Sequence, residues 1–203
     1  MNLCIPGPTR CPPEVLEACS RAMINHRGEE FSRLLEHVTE KFKEACGTKN
    51  DCFFLTSSGT GAMEAAVVNF LSPGDPVLVV SNGHFGERFG NIARRHGACV
   101  AGEIISSHGL ALVADELSFC LKNIARIKAV LLVHNETSTG ITNNLEVLAG
   151  VVKKYKKLLI VDAMSSLGAM PVKIDEWGLD VVVGASQKAF MCPPGVSMII
   201  VSE

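Results

Sequence analysis

Short apolar runs alternate with amphipathic segments along nearly the whole chain, and this alternation restricts the possible folds more than any other feature. Residues 52–55, 77–80, 99–105, 129–134, 158–162, 181–184 and 197–201 have the length and apolar character of strands, several of them dominated by Val, Ile and Leu. Between them, apolar residues at helical spacing predict helices over 14–25, 32–46, 61–70, 85–96, 115–123 and 144–155. Pro12 and Pro13 suit a first helical turn, and Gly47 suits a helix stop. Strands and helices in such alternation build a mostly parallel sheet with helices on both faces. The interval from Gly184 to Ser197 adds a detail. Its twelve residues include Pro193-Pro194-Gly195, which cannot supply the helix of a parallel crossover. The last strand should therefore run antiparallel to the one before it, giving a seven-stranded α/β sheet with one antiparallel member.

Composition narrows the class. A chain of 203 residues that is 47% apolar can bury one substantial core. A net charge of −2 gives no reason to expect a nucleic acid or an anionic membrane as partner. The first ten residues lack the basic start and apolar core of a secretory signal, and no apolar run approaches the ~18 residues that span a bilayer. The expectation is a soluble, cytoplasmic protein. Its eight cysteines, at 4, 11, 19, 46, 52, 99, 120 and 192, form no Cys-x-x-Cys pair and leave no zinc spacing with the histidines. They read as reduced thiols acting as small apolar fillers, with no metal site expected. Cys192, four residues after Lys188, is the one placed to approach a cleft.

Three strand ends carry chemistry. Lys188 follows Val181-Val182-Val183 in Gly184-Ala185-Ser186-Gln187-Lys188, where small and polar neighbours let its amine turn into a cleft instead of outward to solvent. Asp162 ends the run Leu158-Leu159-Ile160-Val161, where partial desolvation raises a carboxylate pKa unless a cation partners it. Ser58-Gly59-Thr60-Gly61 lies between a strand and a helix, where backbone N–H groups and hydroxyls bind a phosphate dianion well. Each has a plain structural alternative: a surface cap, a turn cap and a helix N-cap. The loop is neither a dinucleotide fingerprint, which fails at Glu64, nor a Walker loop. Taken together, the three point to pyridoxal phosphate, with Lys188 holding the aldehyde and later shuttling a proton, Asp162 facing the ring nitrogen, and the loop facing the phosphate. Successive strand ends of an α/β sheet bring such groups to one edge.

Longer motifs sharpen the reading: Pro6-Gly7-Pro8-Thr9, the stretch from Ser58 to Ala66, Asn82-Gly83-His84-Phe85-Gly86-Glu87-Arg88, His134-Asn135-Glu136-Thr137-Ser138-Thr139-Gly140, Val161 to Gly168, and Gly184 to Lys188. In order and spacing, from about residue 3 onward, these resemble the class V aminotransferases of fold type I, in particular the alanine–glyoxylate and serine–pyruvate (serine–glyoxylate) group. The resemblance implies that Ser58, Gly59 and Thr60 contact the phosphate, with Gln187 nearby. It also implies that Phe85, where many relatives have Trp, stacks on the ring and Met164 packs on its other face. Thr137 would bond the region of the ring hydroxyl, Asp162 the ring nitrogen and Lys188 the aldehyde. Homodimers with active sites at the subunit interface are implied, with a small amino acid and a 2-oxo acid as substrates.

The resemblance also sets an expectation about extent. Residues 1–25 correspond to an arm and first helix and 26–203 to an incomplete large domain, while a small C-terminal domain and the arginine that clamps the substrate carboxylate fall beyond Glu203. By itself the chain is expected to leave apolar surface open, to bind cofactor weakly and not to transaminate. Two other readings stay open. One is another class V enzyme of the aminoethylphosphonate aminotransferase or lyase kind, since Gln187 stands where cysteine desulfurases and kynureninases typically have His. The other is a non-catalytic domain that binds pyridoxal phosphate or a partner.

Overall fold

The computed structural model describes residues 3–107, 109–124 and 126–203; Met1 and Asn2, at the tip of the expected arm, lie outside them. Seven strands form the central sheet: β1 (Asp51–Leu55), β2 (Pro76–Ser81), β3 (Cys99–Ile105), β4 (Ala129–Val133), β7 (Leu158–Asp162), β8 (Val181–Ala185) and β9 (Ser197–Val201). Their order is β1-β9-β8-β7-β4-β2-β3, with β9 antiparallel to both neighbours and the other pairings parallel. The antiparallel member expected from the short, proline-rich interval before Ser197 is therefore present.

The central strands are buried on both faces, and alternate residues divide between two cores. On one face Val77, Val79, Leu131 and Ile160 pack with Ala62, Met63 and Ala66 of α3 (Gly59–Phe70) and Phe89, Ile92 and Ala93 of α4 (His84–Arg95). On the other, Leu78, Val80, Leu132 and Val161 meet Leu117 and Leu121 of α5 (Ala114–Asn123) and Leu145, Leu148 and Val152 of α6 (Leu145–Lys154). Phe42 and Cys46, at the end of α2 (Glu29–Cys46), join that second core. Gly47 stops α2 in the left-handed conformation (φ 62°), which glycine adopts without steric cost.

Three expectations need correction. The first helix, α1 (Pro13–Cys19), ends six residues before the expected Asn25. No residue of α1 is buried, so packing does not extend it, and the N–H and hydroxyl of Ser20 both turn back to Glu17. Helix α3 begins at Gly59, so the expected phosphate loop is already the first helical turn, with the Ser58 hydroxyl accepting from Gly61 N at 3.3 Å. Two small elements were not expected from periodicity: the hairpin of β5 (Asn135–Glu136) and β6 (Ile141–Thr142), and α7 (Ile174–Trp177). Two-residue strands and a four-residue helix are too short for a period to register.

Apolar surface is left open on the outer side of α2, where Leu34, Leu35 and Val38 are 48%, 41% and 40% exposed. Beside it lies a groove of about 680 Å³ between α1, α2 and the Pro193-Pro194 turn. Cys192 lines this groove rather than the chemical cleft, and all eight cysteines are free thiols. No helix among the described residues is long and apolar enough to cross a membrane.

One glycine carries the seating of α4 on β2. A Cβ at Gly86 would stand 2.7 Å from Ser81 Cβ and 2.8 Å from Ser81 Cα, and the backbone atom cannot move without shifting the strand. Overpacking of this kind costs about 1–3 kcal/mol, more than the ~1 kcal/mol that alanine gains over glycine in a helix. Gly86→Ala is therefore expected to lower the urea midpoint with an unchanged slope. A midpoint equal to or above that of the parent would disprove this close packing.

Candidate cofactor site

The carboxyl ends of β4, β7 and β8 and the N-termini of α3 and α4 converge on a cleft of about 170 Å³. Ser58, Gly59, Thr60, Phe85, Thr137, Asp162, Met164, Gln187 and Lys188 all line it, so the nine residues expected to hold the cofactor are brought together, while Cys192 is not among them.

Lys188 leaves the turn after β8, and its Nζ donates to Pro6 O at 3.3 Å. The segment before α1 crosses over it. Thr9 N donates to Gln187 O at 2.9 Å, and Thr9 Oγ1 donates to Lys188 O at 2.8 Å. A Cβ at Gly7 would fall 2.6 Å from Lys188 Nζ, so a side chain there would push the amine aside. Residues at opposite ends of the sequence thus share one site.

Asp162 is 2% exposed, at the end of the strand β7. Burial pushes its carboxyl up from the ordinary 3.8 to about 6. The N–H of Met164, donating to Oδ1 at 2.9 Å, opposes the rise; Glu136 adds to it, and Arg88 and Lys188 reduce it. The turn-cap role open from sequence is thus partly realised, and it leaves acceptor capacity on the carboxylate.

The cleft walls suit a flat ring. Phe85 supplies an aromatic face, and the Met164 thioether lies against Gly59, where a Cβ would stand 2.6 Å from its sulfur. At the phosphate end, the N–H groups of Gly59 and Thr60 fall in the first turn of α3, where a helix has no intrahelical acceptor for them. The buried side-chain oxygen of Gln187 has no hydrogen-bond partner among the described residues. A half-turn of the carboxamide would present its N–H donors instead. A carboxylate, an amine, an aromatic slot and a helix N-terminus together match the ring nitrogen, aldehyde, ring and phosphate of pyridoxal phosphate.

Four residues with a part in the site escaped the sequence reading. Asn135 Nδ2 and Thr137 Oγ1 donate to Ser165 Oγ at 2.8 and 3.1 Å, and that hydroxyl donates to Asn135 O at 3.0 Å. Glu136, fully buried, accepts from Phe85 N at 3.0 Å, Gly86 N at 3.1 Å and the Ser138 hydroxyl at 2.6 Å, fixing the start of α4 and with it Phe85. Arg88 lies one helical turn after Phe85 and lines the cleft beside it. Its i, i+3 spacing from Phe85 was the available signal.

A family model described as aminotransferase class V matches residues 1–203. The chain is 44% identical over 203 residues to a protein named soluble hydrogenase, small subunit, of Synechococcus sp., covering 98% of this chain and 53% of that protein. It is 39% identical over 202 residues to the alanine–glyoxylate aminotransferase of Oryctolagus cuniculus, covering 98% and 50%. The crystal structure of an alanine–glyoxylate aminotransferase from Nostoc sp. superposes with a TM-score of 0.93 at 34% identity, over 98% of this chain and 52% of that one. The chain therefore spans about half the length of the relatives it matches. With a match over its full length, a sheet superposing on an aminotransferase and the family motifs lining one cleft, the chain belongs to the class V aminotransferases, a pyridoxal phosphate-dependent family.

Proposed function

We propose that this chain is the cofactor-binding part of an enzyme that transfers the amino group of a small amino acid, alanine or serine, to a 2-oxo acid such as glyoxylate or pyruvate. The observation that carries the proposal is the cleft joining an amine, a buried carboxylate and a helix N-terminus at one sheet edge. Relatives named alanine–, serine– and aspartate–glyoxylate aminotransferases support the substrate class. In this reading residues 1–25 form an arm over the cleft, 26–203 form the large domain, and the complete enzyme pairs with a second copy in the cytoplasm.

Pyridoxal phosphate supplies an aldehyde that bonds to amines and a ring that accepts electrons. Lys188 anchors the aldehyde and is the proton carrier. When not bonded to the aldehyde, Nζ would act as the base that takes the proton from Cα of the amino acid and as the acid that protonates the corresponding carbon when the 2-oxo acid is converted. Asp162, short of partners and costly to ionise alone, holds a ring N–H and is ionised by that cationic partner. Phe85 and Met164 bracket the ring, Thr137 holds its hydroxyl side, and Ser58, Gly59, Thr60 and Gln187 hold the phosphate. Pro6 and Gly7 pass beside Lys188, and Pro6 O accepts from its amine.

The test is amino-group exchange by the complete gene product, with alanine or serine as donor and glyoxylate or pyruvate as acceptor. Formation of the matching 2-oxo acid and amino acid is the expected result. Protein that binds the cofactor but exchanges no amino group with any of the four pairs would refute the substrate reading.

A further inference from the structure

Among the described residues Arg88 is the one arginine on the cleft wall, and the motifs assign it no role. It is half-buried on α4, one turn after Phe85. Its guanidinium carbon lies 5.0 Å from the centre of the Phe85 ring, within cation–π range. Nη1 donates to Thr60 Oγ1 at 3.3 Å, and Nη2 donates to His84 Nε2 at 3.0 Å, which requires that ring nitrogen to be unprotonated. These contacts use two of the five N–H donors of the guanidinium.

The charge balance of the cleft gives these contacts a purpose. Arg88 and Lys188 are the cations on its wall, and Asp162 is the carboxylate. Lys188 is directed at the aldehyde end and Asp162 at the ring nitrogen. The phosphate end, Ser58, Gly59 and Thr60, offers neutral donors only, and the Ser58 hydroxyl already accepts from Gly61 N. A dianion bound by neutral groups alone keeps its whole charge in a half-buried site. Because Thr60 Oγ1 accepts from Arg88, its own hydrogen is free to donate elsewhere, and the guanidinium stands beside the oxygen that would do so.

We propose that Arg88 is the cationic partner of the cofactor phosphate, supplying the charge-assisted bonds that make this cleft select a phosphorylated pyridoxal compound over its unphosphorylated form. The proposal rests on the cofactor reading above. The contacts with Phe85 and Thr60 hold the planar guanidinium oriented before ligand arrives, which reduces the conformational freedom lost on binding.

The test compares pyridoxamine 5′-phosphate with pyridoxamine by titration calorimetry on the complete protein, since neither has an aldehyde to bond Lys188. The parent should prefer the phosphorylated compound, and Arg88→Gln should lose about tenfold or more of that preference, the scale of a hydrogen bond to a charged group. Pyridoxamine itself should bind Arg88→Gln as it binds the parent, and Arg88→Lys, which keeps the charge but not the planar fork, should fall between. Equal weakening of both compounds would overturn the proposal, leaving Arg88 a brace for Phe85. So would an unchanged preference. A parent with no preference for the phosphorylated compound would overturn the cofactor reading itself. Thermal melting without ligand checks that Arg88→Gln folds, and if it does not, Arg88→Lys decides: a reduced but measurable preference for the phosphorylated compound supports the proposal, and an unchanged or completely lost preference overturns it.

Discussion

Lys188→Ala is expected to abolish the covalent capture of pyridoxal phosphate completely. Borohydride reduction of the parent protein with the cofactor should leave the corresponding mass increment on the peptide containing Lys188. The variant should show none there. Lys188 is the lysine on the cleft wall, and its amine donates to Pro6 O beside Gly7. No neighbouring residue can take over the bond. Lys188→Arg keeps a cation but cannot form it, and separates loss of charge from loss of the nucleophile. A reduced adduct that survives in the cleft of Lys188→Ala would refute the assignment.

Asp162→Asn is expected to change activity and stability in opposite directions. With cofactor bound in the complete enzyme, losing the carboxylate proposed to keep the ring nitrogen protonated should slow proton abstraction by ~100-fold or more. Single-turnover absorbance would measure this, and an unimpaired rate would exclude Asp162 from the ring-nitrogen role. In the cofactor-free protein the carboxylate is a burden at neutral pH. Its folded pKa is raised, to about 6 from 3.8, so its contribution is fully present below pH 3.8 and lost as pH rises through 6. Removing it should stabilise the empty protein at pH 7 by ~3 kcal/mol, at 1.36 kcal/mol per pKa unit.

His134 works in the other direction. It is 4% exposed, its Nδ1 has no hydrogen-bond partner among the described residues, and burial lowers its pKa from 6.5 to about 4. A base with a lowered folded pKa contributes stability above pH 6.5 that is lost as pH falls through 4. Across roughly pH 4–6 the two slopes oppose each other in the parent. Asp162→Asn should therefore leave the His134 slope exposed, with unfolding free energy rising steeply from pH 4 to 6.5. Urea titrations at several pH values would show it, and parallel curves for parent and variant would contradict the assigned shifts.

The errors in the sequence reading share a cause. Helix α1 ends at Cys19 although the apolar spacing runs further, because nothing in the fold covers it. The β5–β6 hairpin and α7 were invisible because elements of two to four residues have no period. Glu136 stands within the His134–Gly140 motif with no role assigned from sequence. Only its burial, with backbone and hydroxyl donors from α4 and Ser138 around it, reveals that it anchors Phe85.

What the sequence determined by itself was the seven strands, the antiparallel last strand and the identity of the chemical groups. Local periodicity decides which faces must be buried, and Pro193-Pro194-Gly195 rules out a crossover helix in so short an interval. What only the tertiary structure decided was proximity. Pro6 and Gly7 over Lys188, Arg88 against Thr60, and Asp162 desolvated beside both lie far apart in the chain. Contacts of that kind depend on how strands order within the sheet and how helices seat upon it, and no spacing within a single segment encodes them.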